Sequence, residues 1–141
     1  MTSSKKRSEC PVSCTLDVFG DKWSLLIIRD LMFFQSRTYG DFQKSKEKIA
    51  TNILASKLKS LEENGIITKA AHPDSKAKVL YKLTQKGIDL LPILVEINLW
   101  GEKYFEISPE LKSLLNEIKE DKQAFIKAKT EELQVDSGHE S

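Results

Sequence analysis

Apolar residues recur along this chain first at helical spacing, then in alternation, then at helical spacing again. After a polar opening, residues 14–19 form a short helical stretch ended by Gly20, and Asp21 is placed to cap the next helix. Trp23, Leu25, Leu26, Ile27, Ile28, Leu31 and Met32 make that helix apolar nearly all round, which predicts a central, buried position. Residues 34–37 read as a loop, Tyr39 and Phe42 as a short helical turn, and residues 44–48 as a hydrophilic link. Residues 51–64 then give the clearest amphipathic helix, closed by Gly65. Ile53, Leu54, Leu58 and Leu61 share its apolar stripe, and Asn52, Ser56, Lys59 and Glu63 lie opposite.

After Gly65 the period changes to about 2. Ile67, Lys69 and Ala71 alternate with Ile66, Thr68 and Ala70, and Val79, Tyr81 and Leu83 alternate with Lys78, Leu80 and Lys82. Turn formers over residues 72–77 join the two runs, which predicts a hairpin with a long, lysine-bearing tip. Thr84 then starts a helix through Ile88, Leu91, Leu94, Val95 and Trp100, with Pro92 inside it as an expected kink. Ser108-Pro109-Glu110 restarts a helix in the preferred order of cap, proline and acid. Leu111, Leu115, Ile118, Lys122 and Phe125 continue it as a near-heptad seam.

Composition adds little until it is divided along the chain. Of the 141 residues, 40% are hydrophobic and 30% charged, as in an ordinary globular protein. Residues 1–86 hold 16 Lys+Arg and 9 Asp+Glu, a balance of +7, and residues 87–141 hold 6 and 12, a balance of −6. A basic working surface joined to an acidic element is the reading that follows. No apolar run reaches membrane-spanning length and no signal peptide is apparent, so the expected compartment is the cytoplasm.

Chemistry-bearing motifs are sparse. There is no glycine-rich phosphate loop, catalytic carboxylate pair or nucleophile elbow, which argues against an enzyme. His72 and His139 stand apart from other ligand types, so neither metal nor cofactor is expected. Two cysteines, Cys10 and Cys14, are too few for a disulfide scaffold.

Helices, then an amphipathic helix with a basic outer face, then a hairpin with a basic tip, is the order of a winged helix-turn-helix. A helix of that diameter fits the major groove of DNA, and a basic hairpin beside it reaches the neighbouring backbone. Thr51, Asn52, Ser56, Lys57 and Lys59 are the expected DNA-facing residues of the helix. Lys48 before it, with Lys44 and Lys46, and Lys76 and Lys78 on the hairpin, supply a positive rim.

Several motifs also resemble a known family. Cys10-Pro-Val, Gly20-Asp-Lys-Trp23, Leu26-Ile-Ile-Arg-Asp-Leu31, Ile49-Ala-Thr-Asn-Ile-Leu54, Leu58-Lys-Ser-Leu-Glu-Glu-Asn-Gly65 and Tyr81-Lys-Leu-Thr-Gln-Lys-Gly87 resemble the HxlR-type regulators, distantly similar to MarR proteins, over residues 10–105. The resemblance implies a homodimeric winged-helix transcription factor that binds double-stranded DNA. Position 50, often a capping serine in that family, is Ala50, and Thr51 is expected to take over the cap. The resemblance also carries an oxidant- or electrophile-sensing role to Cys10. Lys5, Lys6 and Arg7 would favour its thiolate and Cys14 could resolve it, the alternative being two inert thiols near a dimer interface.

The reading is therefore an α+β winged helix with additional dimerisation helices at both ends. Its expected divisions are a flexible basic arm (1–12), a winged-helix domain including the dimerisation helix (13–106), a further C-terminal helix (107–134) and a disordered tail (135–141). Leu91, Leu94, Val95 and Trp100 are expected at the dimer contact, because they are more apolar surface than a small monomer readily covers. Two rival readings share this core: a winged-helix module that binds protein instead of DNA, and a regulator whose small-molecule signal sits at the dimer interface.

Overall fold

The computed structural model describes residues 8–136. The first residues of the basic arm, with Lys5, Lys6 and Arg7, and the end of the tail, with His139, lie outside the described residues. The chain forms two compact units that divide between Gly87 and Ile88.

The first unit holds α1 (Pro11–Phe19), α2 (Lys22–Phe34), α3 (Tyr39–Gln43) and α4 (Thr51–Glu63), followed by strands β1 (Ile67–His72) and β2 (Ser75–Leu83). Asp21 caps α2 as expected, accepting from the Ser24 amide at 2.9 Å and the Ser24 hydroxyl at 2.8 Å. Thr38 and Asp41 cap α3 reciprocally. Ile28, Leu31, Phe42, Leu54, Leu58, Leu61 and Ile67 form the core, so α2 is central, although Phe33 and Phe34 at its end are exposed. Gly65 ends α4 at φ 75°, a left-handed conformation that suits glycine. The Gly65 amide donates to Glu62 O at 3.0 Å and the Ile66 amide to Leu61 O at 2.9 Å, closing the helix and aiming the chain into β1.

Two expectations in this unit need correction. Thr51 does not cap α4: Ala50 is the cap residue, since its carbonyl accepts the first helical bond from Leu54 N at 2.8 Å. Thr51 becomes the first helical residue, and its hydroxyl meets Gln43 Nε2 at 3.4 Å. The hairpin tip is also shorter than the turn formers implied. Ile67↔Leu83 through Ala71↔Val79 pair in register, and His72 then pairs with Ser75, so the turn is Pro73-Asp74 and residues 76–78 bulge from β2. On its other edge Tyr81 exchanges both backbone bonds with Arg37, at 3.2 and 2.8 Å, an isolated antiparallel bridge that ties the end of the expected 34–37 loop to β2.

The helix expected from residue 85 to 106 is two helices, α5 (Gln85–Ile88) and α6 (Leu91–Tyr104). Pro92 does not kink a continuous helix but sits in the first turn of α6, where its missing amide would have had no helical partner. The C-terminal helix is likewise split, into α7 (Pro109–Glu120) and α8 (Lys122–Asp136). Asp121 interrupts it at φ −156°, ψ 91°, and its carboxylate accepts from the Ala124 amide at 3.1 Å to start α8. Residues 135 and 136, expected in the tail, are helical.

Within the second unit α6 packs on both α7 and α8. Glu102 takes Lys112 at 3.3 Å and Lys119 at 3.0 Å from α7, and Glu96 takes Lys122 from α8.

Gly87 marks a close approach in the first unit. A Cβ there would meet Ile66 O at 2.4 Å and Leu83 Cδ2 at 2.8 Å, and the backbone oxygen cannot swing away. Gly87→Ala is expected to lower stability by about 1–3 kcal/mol, read as a reduced midpoint in denaturant at unchanged slope.

Candidate nucleic-acid interface

Three pieces of the first unit bring the expected DNA-facing residues together: α4, the turn before it, and the β1–β2 hairpin. Leu54, Leu58 and Leu61 bury one face of α4, so Thr51, Asn52, Ala55, Ser56 and Lys59 point outward. No side chain caps the N-terminus of α4, which leaves the positive end of the helix and its first amides presented outward. Tyr39 steadies that end from α3, its hydroxyl donating to Thr51 O at 3.0 Å. Sequence reasoning assigned Tyr39 only to a helical turn.

The lysines do not all serve alike. Lys57 is half-buried and reaches back 3.5 Å to Asp21, the cap of α2, so it ties α4 to α2. Lys59 pairs with Glu63 at 3.5 Å on the exposed face. Lys48, Lys76 and Lys78 are exposed and form no ion pair among the described residues. Lys48 has φ 55°, a left-handed conformation costing roughly 1 kcal/mol for a residue other than glycine. Lys76 and Lys78 sit on the β2 bulge, which takes them out of the strand ladder. Between hairpin and α3 runs a groove lined by Tyr39, Lys44, Lys78 and Tyr81.

A charged network that sequence reasoning missed underlies the turn. Arg29 grips Glu47 with a fork of two bonds, at 2.9 and 3.1 Å, and also donates to Asp30 at 3.0 and 2.7 Å. The only signal for it in the sequence was a charged pair, Arg29-Asp30, inside an otherwise apolar run. Burial works against the charge of Arg29, yet Glu47 and Asp30 raise its pKa overall. The same bonds from Arg29 hold the Glu47 carboxyl below its ordinary value against some desolvation. The Thr38 amide does likewise for Asp41. For Asp21, desolvation pushes upward, and Ser24 with Lys57 more than offsets it.

The cysteines lie at the start of α1. Cys10 is exposed at the helix cap position, and Cys14 is partly covered, its thiol 3.3 Å from Ser8 O. Among the described residues no group of three His, Cys, Asp or Glu side chains is arranged to hold a metal, and no helix is long and apolar enough to cross a membrane.

The residues named for dimer contact divide. Leu91, Leu94 and Val95 are buried within the chain and offer no free surface, which corrects their assignment; Trp100 is 61% exposed. The outward row on α6 is instead Ile93, Ile97, Trp100 and Tyr104, with Phe105 just beyond. The Trp100 ring lies 5.0 Å from Tyr104 and 6.2 Å from Phe105.

A helical core presenting a polar helix face beside a basic β-hairpin defines a winged helix-turn-helix DNA-binding protein. The chain belongs to the HxlR-like helix-turn-helix family, whose model matches residues 18–109. It is 36% identical over 95 residues to the HTH-type transcriptional regulator YdeP of Bacillus subtilis, covering 67% of this chain and 73% of that one. Among solved structures, PA1607 matches with a TM-score of 0.64 at 45% identity, over 74% of this chain and 70% of that one. The redox regulator HypR in its oxidized form matches with a TM-score of 0.61 at 31% identity, over 70% and 100%. This chain is accordingly a transcriptional regulator with a helix-turn-helix DNA-binding domain, and α7 and α8 lie almost wholly beyond the family match.

Proposed function

We propose that the protein binds a two-fold symmetric operator as a homodimer, with α4 in the major groove and the β1–β2 hairpin along the neighbouring backbone. The observation that carries this reading is the outer face of α4. Asn52 and Ser56 stand there with hydrogen-bonding side chains and no acid beside them until the C-terminal end of the helix. Asn reads adenine by a bidentate pair and Ser accepts or donates to either partner, whereas the exposed lysines of turn and hairpin hold phosphate without regard to sequence. A homodimer carries two copies of α4, and a two-fold operator with half-sites about one turn of DNA apart is the target that matches them. The basic hairpin favours DNA over a protein partner, and the compartment proposed with this reading is the cytoplasm.

Cys10 is proposed to link that binding to oxidants or electrophiles. It is exposed, a second thiol lies one helical turn away, and the structural relative HypR is a redox regulator. Modification acts only through a free-energy difference between DNA-competent and incompetent states, and about 1.4 kcal/mol already changes affinity tenfold. In a gel-shift on the DNA upstream of its own gene, diamide or a quinone is expected to release the wild type and to leave Cys10→Ser bound. Cys14→Ser separates two routes: persistent release means Cys10 acts alone or across the dimer, and lost release means the pair is needed. Retention of DNA by the fully thiol-modified wild type would make Cys10 structural.

A further inference from the structure

Asp30 is 5% exposed, in the middle of α2, and its carboxylate faces two cations. Arg29 donates to one oxygen, and Arg37 Nε lies 3.8 Å from the other, buried and without a hydrogen-bond partner among the described residues. Each cation is anchored to a different piece of the DNA-facing surface. Arg29 grips Glu47, the residue just before Lys48 in the turn leading to α4. Arg37 stacks on Phe34, its guanidinium carbon 3.9 Å from the ring centre, and its backbone pairs on both sides with Tyr81 of β2. One buried carboxylate thus stands between the turn before the groove-facing helix and the base of the hairpin.

Stability alone does not account for a carboxylate in that place. Taking a charge out of water is costly, and a buried ion pair seldom outdoes an apolar side chain of similar volume, while the other buried large side chains of α2, Ile27, Ile28, Leu31 and Met32, are apolar. What a buried pair supplies is a defined geometry between the elements it joins. We infer that Asp30 is a positioning residue for DNA binding, fixing the hairpin through Arg37, while the fork from Arg29 to Glu47 holds the α4 turn by itself. The inference rests on the proposed contact of the hairpin with DNA phosphate. Its consequence is that Asp30 acts on affinity through Lys76 and Lys78, which it does not touch.

A double-mutant cycle on the full chain tests this, with a random-sequence duplex as probe because phosphate contacts need no operator. Lys76→Ala/Lys78→Ala is expected to lower the slope of log affinity against log salt by about two. Asp30→Asn is expected to lower affinity about tenfold and to reduce the slope similarly, yet to change neither further in the Lys76→Ala/Lys78→Ala background. A structural role without positioning gives the opposite pattern: the same loss in both backgrounds at unchanged slope, which overturns the inference. Should Asp30→Asn fail to fold, Arg37→Gln carries the same cycle, since it keeps the backbone pairing with Tyr81. Arg37→Lys is then expected to restore the slope, and loss there equal to that of Arg37→Gln overturns the inference. An unchanged slope in Lys76→Ala/Lys78→Ala removes the hairpin contact and the inference with it, whereas additive losses with a hairpin-dependent slope remove only the inference.

Discussion

Ile97→Asp combined with Trp100→Glu is expected to give a folded monomer whose affinity for a two-half-site operator is lower by roughly 100-fold or more. Both side chains are exposed in the single chain, at 46% and 61%, so acids there disturb little within it. In a dimer the same positions would bury two charges per subunit without partners, a cost no rim contact offsets. A monomer then binds each half-site alone and loses the gain from tethering two copies of α4. Sedimentation measures the assembly, and titration on single and paired half-sites measures the affinity. The single-half-site affinity is expected to stay near wild type. A double variant that still sediments as a dimer places the interface elsewhere than the outer face of α6.

Asn52→Ala and Ser56→Ala are each expected to weaken operator binding by about 1–3 kcal/mol and to leave binding to random DNA nearly unchanged. Both residues are exposed on the face of α4 opposite Leu54, Leu58 and Leu61, so alanine there removes hydrogen-bonding groups without opening the core. The contrast with the lysines is the informative part. A lost base contact changes discrimination, and a lost phosphate contact changes every affinity and its salt dependence alike. Equal loss on operator and random duplexes would show that these side chains do not read bases.

The sequence carried the winged helix well because its signals were local and redundant. Asp21, Gly65 and Ser108 each mark a helix end by one chemical property, and the change from helical to alternating period after Gly65 marks the hairpin. Signals that depend on a competing local solution were harder to read. A helix with an internal proline suggests a kink, yet the chain breaks after Ile88 and starts α6 afresh with Pro92 in its first turn. The seam from Leu111 to Phe125 runs through Asp121, whose carboxylate caps a new helix instead of continuing the old one. The hairpin alternation stops at Ala71 and Val79 because the β2 bulge puts residues 76–78 out of phase, which made a two-residue turn look like a long loop.

Questions of which apolar stripe is covered lay beyond periodicity altogether. α6 is apolar on two sides, and only tertiary packing decides that Leu94 and Val95 go inside and Ile97 and Trp100 stay outside. The Arg29–Asp30–Arg37–Glu47 network is a matter of tertiary placement. Adjacent charges in a helix do not face each other by default, so nothing in their spacing announced that Arg29 would turn toward both Asp30 and Glu47.

Selection of duplexes by the purified protein from a random-sequence pool tests the central claim most directly. The expected product is an inverted repeat with half-sites about 10 base pairs apart, centre to centre, or a multiple of that, enriched by the wild type and lost with Asn52→Ala/Ser56→Ala. Enrichment of no sequence, with every duplex bound alike or none bound at all, would contradict it.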